Sequence, residues 1–105
     1  MPQPIKSAVT LEVVAEWFDI SIKDILGYRR SRNIVNARSV VAFILRNNTS
    51  MSLQEIGTLI NRDHSSVIQA VRRIKTLVDN EVSWRIDVDE MLSTVQTASF
   101  PEENA

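Results

Sequence analysis

From Ile5 to Phe100 the chain contains no proline and only two glycines, Gly27 and Gly57. A stretch of that length without strong breakers can fold only as a run of helices, provided its apolar residues recur at helical spacing. They do. Leu11, Val14, Ala15 and Phe18 share one face of a first helix, with Glu12 and Glu16 between them. Ser21 and Asp24 are spaced to cap a short helical turn that Gly27 ends. Tyr28-Arg29-Arg30-Ser31-Arg32 reads as a basic loop, and a longer helix is expected from about Asn33 to Asn47, with Ile34, Ala37, Val41, Ile44 and Leu45 as its buried stripe.

Ser52 and Glu55 form a capping box at the start of a short helix that runs to Leu59 or Ile60, and Asn61 suits a left-handed turn. Asp63 caps the next helix, whose buried face is Val67, Ala70, Val71, Ile74 and Val78 and which ends near Asn80. A last helix from about Trp84 to Thr97 is expected with Ser83 as its cap and Val88, Met91, Leu92 and Val95 inward. The expected organisation is one all-α domain: a flexible N-terminus over 1–8, a helix-turn-helix domain over 9–80, an added C-terminal helix over 81–98, and a disordered acidic tail over 99–105. Trp17, Phe18 and Phe43 are expected in the core, while Trp84 either covers it or marks a partner surface.

Several function classes are excluded early. With no cysteine there are no disulfides or thiolate metal sites, and the single histidine has no second strong ligand at helical spacing. No Gly-x-x-x-x-Gly-Lys-Ser/Thr phosphate loop is present, so no ATPase chemistry and no cofactor are expected. Asp63, His64 and Ser65 are consecutive, so on a helix they diverge and cannot converge as a catalytic triad. No apolar run approaches the roughly 18 residues a membrane helix needs, and no signal peptide is visible, which points to a cytoplasmic protein. The net charge of −1 hides an asymmetry: residues 20–75 carry ten Lys and Arg against three acids, whereas residues 76–105 carry one Arg against seven. A basic middle is the electrostatic footprint of a polyanion binder.

Ser52 to Ile74 therefore reads as a helix-turn-helix whose second helix offers Asp63, His64, Ser65 and Ser66 to the edges of bases in the major groove. Serine hydroxyls donate or accept, histidine donates to a guanine acceptor, and aspartate accepts from a cytosine amino group.

At these residues the chain resembles a known family. Arg62-Asp63-His64-Ser65-Ser66-Val67, preceded by Ser52-Leu53-Gln54-Glu55-Ile56-Gly57, is similar to the signature of the DNA-binding domain of the bacterial replication initiator DnaA. Arg29-Arg30-Ser31-Arg32 with Ala37-Arg38 resembles that family's basic loop and following helix. Val14 to Ile20 with Asp24-Ile25-Leu26 resembles its first helix and turn.

The resemblance implies a fold related to Trp repressor and binding to a double-stranded box of the TTATCCACA type. It implies Arg30 in the minor groove and Asp63, His64 and Ser65 as base readers. Backbone or groove-edge contacts are implied for Arg29, Arg32, Arg38, Arg62, Ser66 and Gln69, and Leu53 with the free N–H groups of its helix start holds a phosphate. On that basis His64→Ala is expected to relax specificity and Arg38→Ala to weaken all sequences alike. The chain departs from the family where Ala37 replaces a proline, Gln69 a histidine and Ser65-Ser66 a threonine pair, and its turn is one residue shorter and lacks glycine. The expected role is a transcription regulator or replication accessory factor at the nucleoid. The rival expectation is a protein-interaction module that keeps the fold, using the acidic C-terminal region or self-association through the last helix, with the acidic tail folding over the basic face.

Overall fold

The computed structural model describes residues 5–100, which form six helices and no strand. They are α1 (Ser7–Trp17), α2 (Ile22–Leu26), α3 (Arg32–Asn48), α4 (Leu53–Ile60), α5 (His64–Asn80) and α6 (Val82–Ser99). Helix α3 is the hub: α1, α2, α4 and α5 all pack on it, while α6 rests on α1 and α5. That explains why the buried part of α3 is wider than one stripe. Val40, Val41, Ala42, Ile44 and Leu45 are all essentially inaccessible, because helices surround them on several sides.

Local chemistry sets most boundaries. Ser21 and Asp24 close a reciprocal capping box on α2, and Ser52 with Glu55 does the same on α4, each satisfying free first-turn N–H groups. Asn61 adopts the left-handed conformation (φ 61°, ψ 47°), which its short polar side chain tolerates. Its turn reverses the chain between α4 and α5, and the Arg62 N–H donates to the Gly57 carbonyl at 2.8 Å. Gly57 is buried where α4 meets this turn, and a Cβ there would collide with the Arg62 carbonyl oxygen. Close packing, not a functional contact, accounts for the glycine.

Several expectations need correction. Ser31 caps α3, its Oγ accepting from the Ile34 N–H, so Arg32 opens that helix and does not belong to the basic loop. Helix α6 begins at Val82, and Ser83 lies inside its first turn. Glu81 alone joins α5 to α6, ending one and starting the other, which leaves no room for a serine cap. Trp17 is 39 % exposed and is not core; Phe18 and Phe43 are half-buried against it. Residues 5–8 are not a flexible arm: α1 starts at Ser7, and the Lys6 N–H donates to Ser99 Oγ at 3.0 Å. Ser99, placed by sequence in a disordered tail, is buried at the end of α6, and the rest of that tail from 101 lies outside the described residues.

Candidate nucleic-acid interface

Two elements distant in sequence form one polar face. The first is the start of α5. The Asp63 side chain accepts from the Ser66 N–H at 2.8 Å through Oδ1, which anchors the helix. That hydrogen bond, with a smaller contribution from the neighbouring His64, holds the Asp63 carboxyl below its ordinary range. His64, Ser65, Ser66 and Gln69 are all exposed along the same first turns. Beside them, between the starts of α4 and α5, opens a groove of about 1000 Å³ lined by Arg46, Ser52, Leu53, Thr58 and His64 among others. Leu53 is half-buried, and its side chain packs on the core, so only its main chain is on offer at this helix start.

The second element is the loop between α2 and α3, where Tyr28, Arg29 and Arg30 are exposed. Arg29 makes only a long, surface ion pair with Asp24 (3.8 Å), which leaves its charge available. Arg32 is exposed at the first residue of α3, where the helix dipole disfavours a cation, so helix stability does not account for its charge.

Between the loop and α5 lies a cleft of about 300 Å³, walled by Arg30, Arg38, Arg62 and Arg73 with Ser66 and Gln69, and no acidic residue lines it. Arg38 is placed differently from a solvated surface cation. It is buried, its Nε donates to the Ile25 carbonyl at 2.7 Å, and its Nη2 points at the carbonyls of Asp24, Gly27 and Arg29. Burial, with the nearby Arg62 and Arg30 charges, lowers its pKa from the ordinary arginine value. Arg62 turns the same way, donating Nη2 to the Gly27 carbonyl at 2.6 Å.

The family described as "Bacterial dnaA protein helix-turn-helix" matches residues 9–74, from α1 through most of α5. The chain belongs to the helix-turn-helix family of bacterial DnaA proteins. Among its relatives, the chromosomal replication initiator protein DnaA of Bradyrhizobium sp. (strain ORS 278) is 35 % identical over 96 residues, covering 90 % of this chain and 20 % of the relative. The protein of the same name from Rhodopseudomonas palustris (strain BisB5) matches with the same identity and coverage. The chain thus spans about one fifth of the length of these initiators. Helix α6 lies outside the family match, yet a match covering 90 % of the chain takes in most of it.

Of the residues singled out from sequence, this DnaA-type domain brings Arg30, Arg38, Arg62, Ser66 and Gln69 together around one cleft. Asp63 and His64 stand with Leu53 and Arg62 around the neighbouring groove. Arg29, Arg32 and Ser65 are exposed but line neither. Sequence reasoning passed over Arg73, which lines the cleft and donates to Asn36 Oδ1 across α3 and α5. Its position one turn beyond Gln69, on the polar face of α5, was the available signal. Among the described residues no cluster of three His, Asp or Glu could hold a metal, and no helix is long and apolar enough to cross a membrane.

Proposed function

We infer that this domain binds double-stranded DNA sequence-specifically, with α5 in the major groove and the Gly27–Ser31 loop in the adjacent minor groove. The cleft carries this reading. The strand that separates two neighbouring grooves has to pass between the two inserted elements, and that passage is walled by four arginines and no acid. Arg30 then enters the minor groove, and Asp63, His64 and Ser65 meet base edges. Arg29, Arg32, Ser66, Gln69 and the main chain at Leu53 take the sugar-phosphate backbone. Arg38, Arg62 and Arg73 add positive potential beneath the strand.

By family likeness the target is a box of the TTATCCACA type, with serines in place of threonine methyls shifting the preference at thymine positions. The relatives named above are replication initiators. A domain of this kind occupies or competes for their boxes at the nucleoid in the cytoplasm, as a replication accessory factor or transcription regulator.

The test is fluorescence anisotropy with a box duplex and a scrambled duplex of equal length at two salt concentrations. Preference for the box is expected, with log affinity falling against log salt by about 0.9 per phosphate neutralised. A folded protein that binds neither duplex would overturn the assignment.

One observation favours a second reading. Val82 and Ile86, one turn apart on α6, are 59 % and 56 % exposed, an apolar strip suited to a second copy of the chain or another protein. Concentration-dependent mass in light scattering, lost in the Val82→Ser/Ile86→Ser double variant, would support self-association.

A further inference from the structure

The loop between α2 and α3 has little main-chain bonding of its own, the Gly27 N–H to the Asp24 carbonyl (3.3 Å) closing the last turn of α2. Carbonyls at a helix C-terminus lack intrahelical partners and sit at the negative end of the dipole. Here side chains from elsewhere in the fold satisfy them. Arg38, from α3, donates to Ile25 at 2.7 Å and aims Nη2 at Gly27 (3.2 Å), Asp24 (3.3 Å) and Arg29 (3.4 Å). From the turn of the helix-turn-helix, Asn61 Nδ2 donates to the Leu26 carbonyl at 3.3 Å and Arg62 Nη2 to the Gly27 carbonyl at 2.6 Å. The Arg62 guanidinium also lies 6.0 Å from the centre of the Tyr28 ring, within cation–π range. The Gly27 oxygen is the shared point, accepting from α3 on one side and from the α4–α5 turn on the other.

A planar guanidinium can address several carbonyls at once in fixed directions, which a lysine ammonium on a flexible stem cannot. We propose that Arg38 and Arg62 are positioning residues that staple the basic loop to the helix-turn-helix turn, setting the separation at which the loop and α5 meet a duplex. Their charge is spent mainly on main-chain oxygens, not phosphates. Ordering the loop during folding removes that entropy cost from binding.

The idea rests on the DNA-binding reading for its purpose, but the staple itself can be tested without DNA. Amide hydrogen exchange is measured on the full chain for wild type, Arg38→Lys and Arg62→Lys. Both variants keep the charge and lose the fork. The bonded amides where α2 runs into the loop, those of Ile25 and Gly27, should exchange at least about tenfold faster in each variant, while amides of Val40 to Leu45 in α3 stay protected. Unchanged exchange of those two amides would overturn the proposal. So would equal acceleration of the α3 amides in both variants, which would make the two arginines general supports of the fold. Arg62 is less buried than Arg38, so its variant decides the matter if Arg38→Lys fails to fold.

In the duplex assay each lysine variant should lose more affinity for the box than for the scrambled duplex, with an unchanged salt slope. Full retention of box affinity by both lysine variants would mark simple phosphate contacts and overturn the proposal. A wild type without box preference would remove the DNA-binding reading, and the exchange data would still decide the staple.

Discussion

The proposed function gives Asp63 two duties on one carboxylate. Oδ1 holds the first turn of α5, and the other oxygen is the one left for a base amino group in the proposed complex. Because its folded pKa is depressed, the stability it adds is present above the ordinary carboxyl value of 3.8 and is lost as pH falls through the lower folded value. Asp63→Asn keeps an N-cap without the titration. Urea midpoints between pH 6 and pH 3 should therefore fall more in wild type than in this variant; parallel curves would exclude the effect. For DNA, His64→Ala should narrow the affinity gap between box and scrambled duplex, whereas Arg29→Ala should lower both and reduce the salt slope by about one. The exposure of these positions was legible, because a cap residue followed by short polar side chains offers nothing to a core. Arg38 was not. Its flanks, Ala37 and the Ser39-Val40-Val41 run, are buried, and that context was the only hint that this arginine points inward.

Among the elements, helix positions followed from apolar spacing and capping chemistry, and α2, α4 and α5 begin where Ser21, Ser52 and Asp63 dictate. The α5–α6 junction was misjudged because Glu81 starts α6 without any side-chain cap, so no residue type marked it. The α4–α5 corner depends on Gly57. Gly57→Ala removes a helix penalty of about 1 kcal/mol but forces backbone apart at the Arg62 carbonyl, a clash of the kind that costs about 1–3 kcal/mol. A net loss in chemical denaturation is expected, and a stabilised variant would contradict the packing described. Ser52→Ala, which breaks the capping box of α4, should cost about 1 kcal/mol by the same measurement.

For the whole molecule the informative part is α6. Val88, Met91 and Val95 are buried in the body of the domain, so this acidic helix is part of the fold. It packs on α1 and α5. Met91→Ala should cost about 2–5 kcal/mol, and a chain cut after Thr76 should lose cooperative melting in circular dichroism. Charge asymmetry along the sequence was readable. The place where the acidic segment docks was not, because amphipathic spacing says which face is buried but not against what. The same docking brings residue 6 and residue 99 within one hydrogen bond. Between those two residues the described chain is in effect almost a closed ring. A short linker joining those two points should permit circular permutation, with new ends opened at the exposed Ser50 between α3 and α4, and leave the face formed by α5 and the basic loop intact.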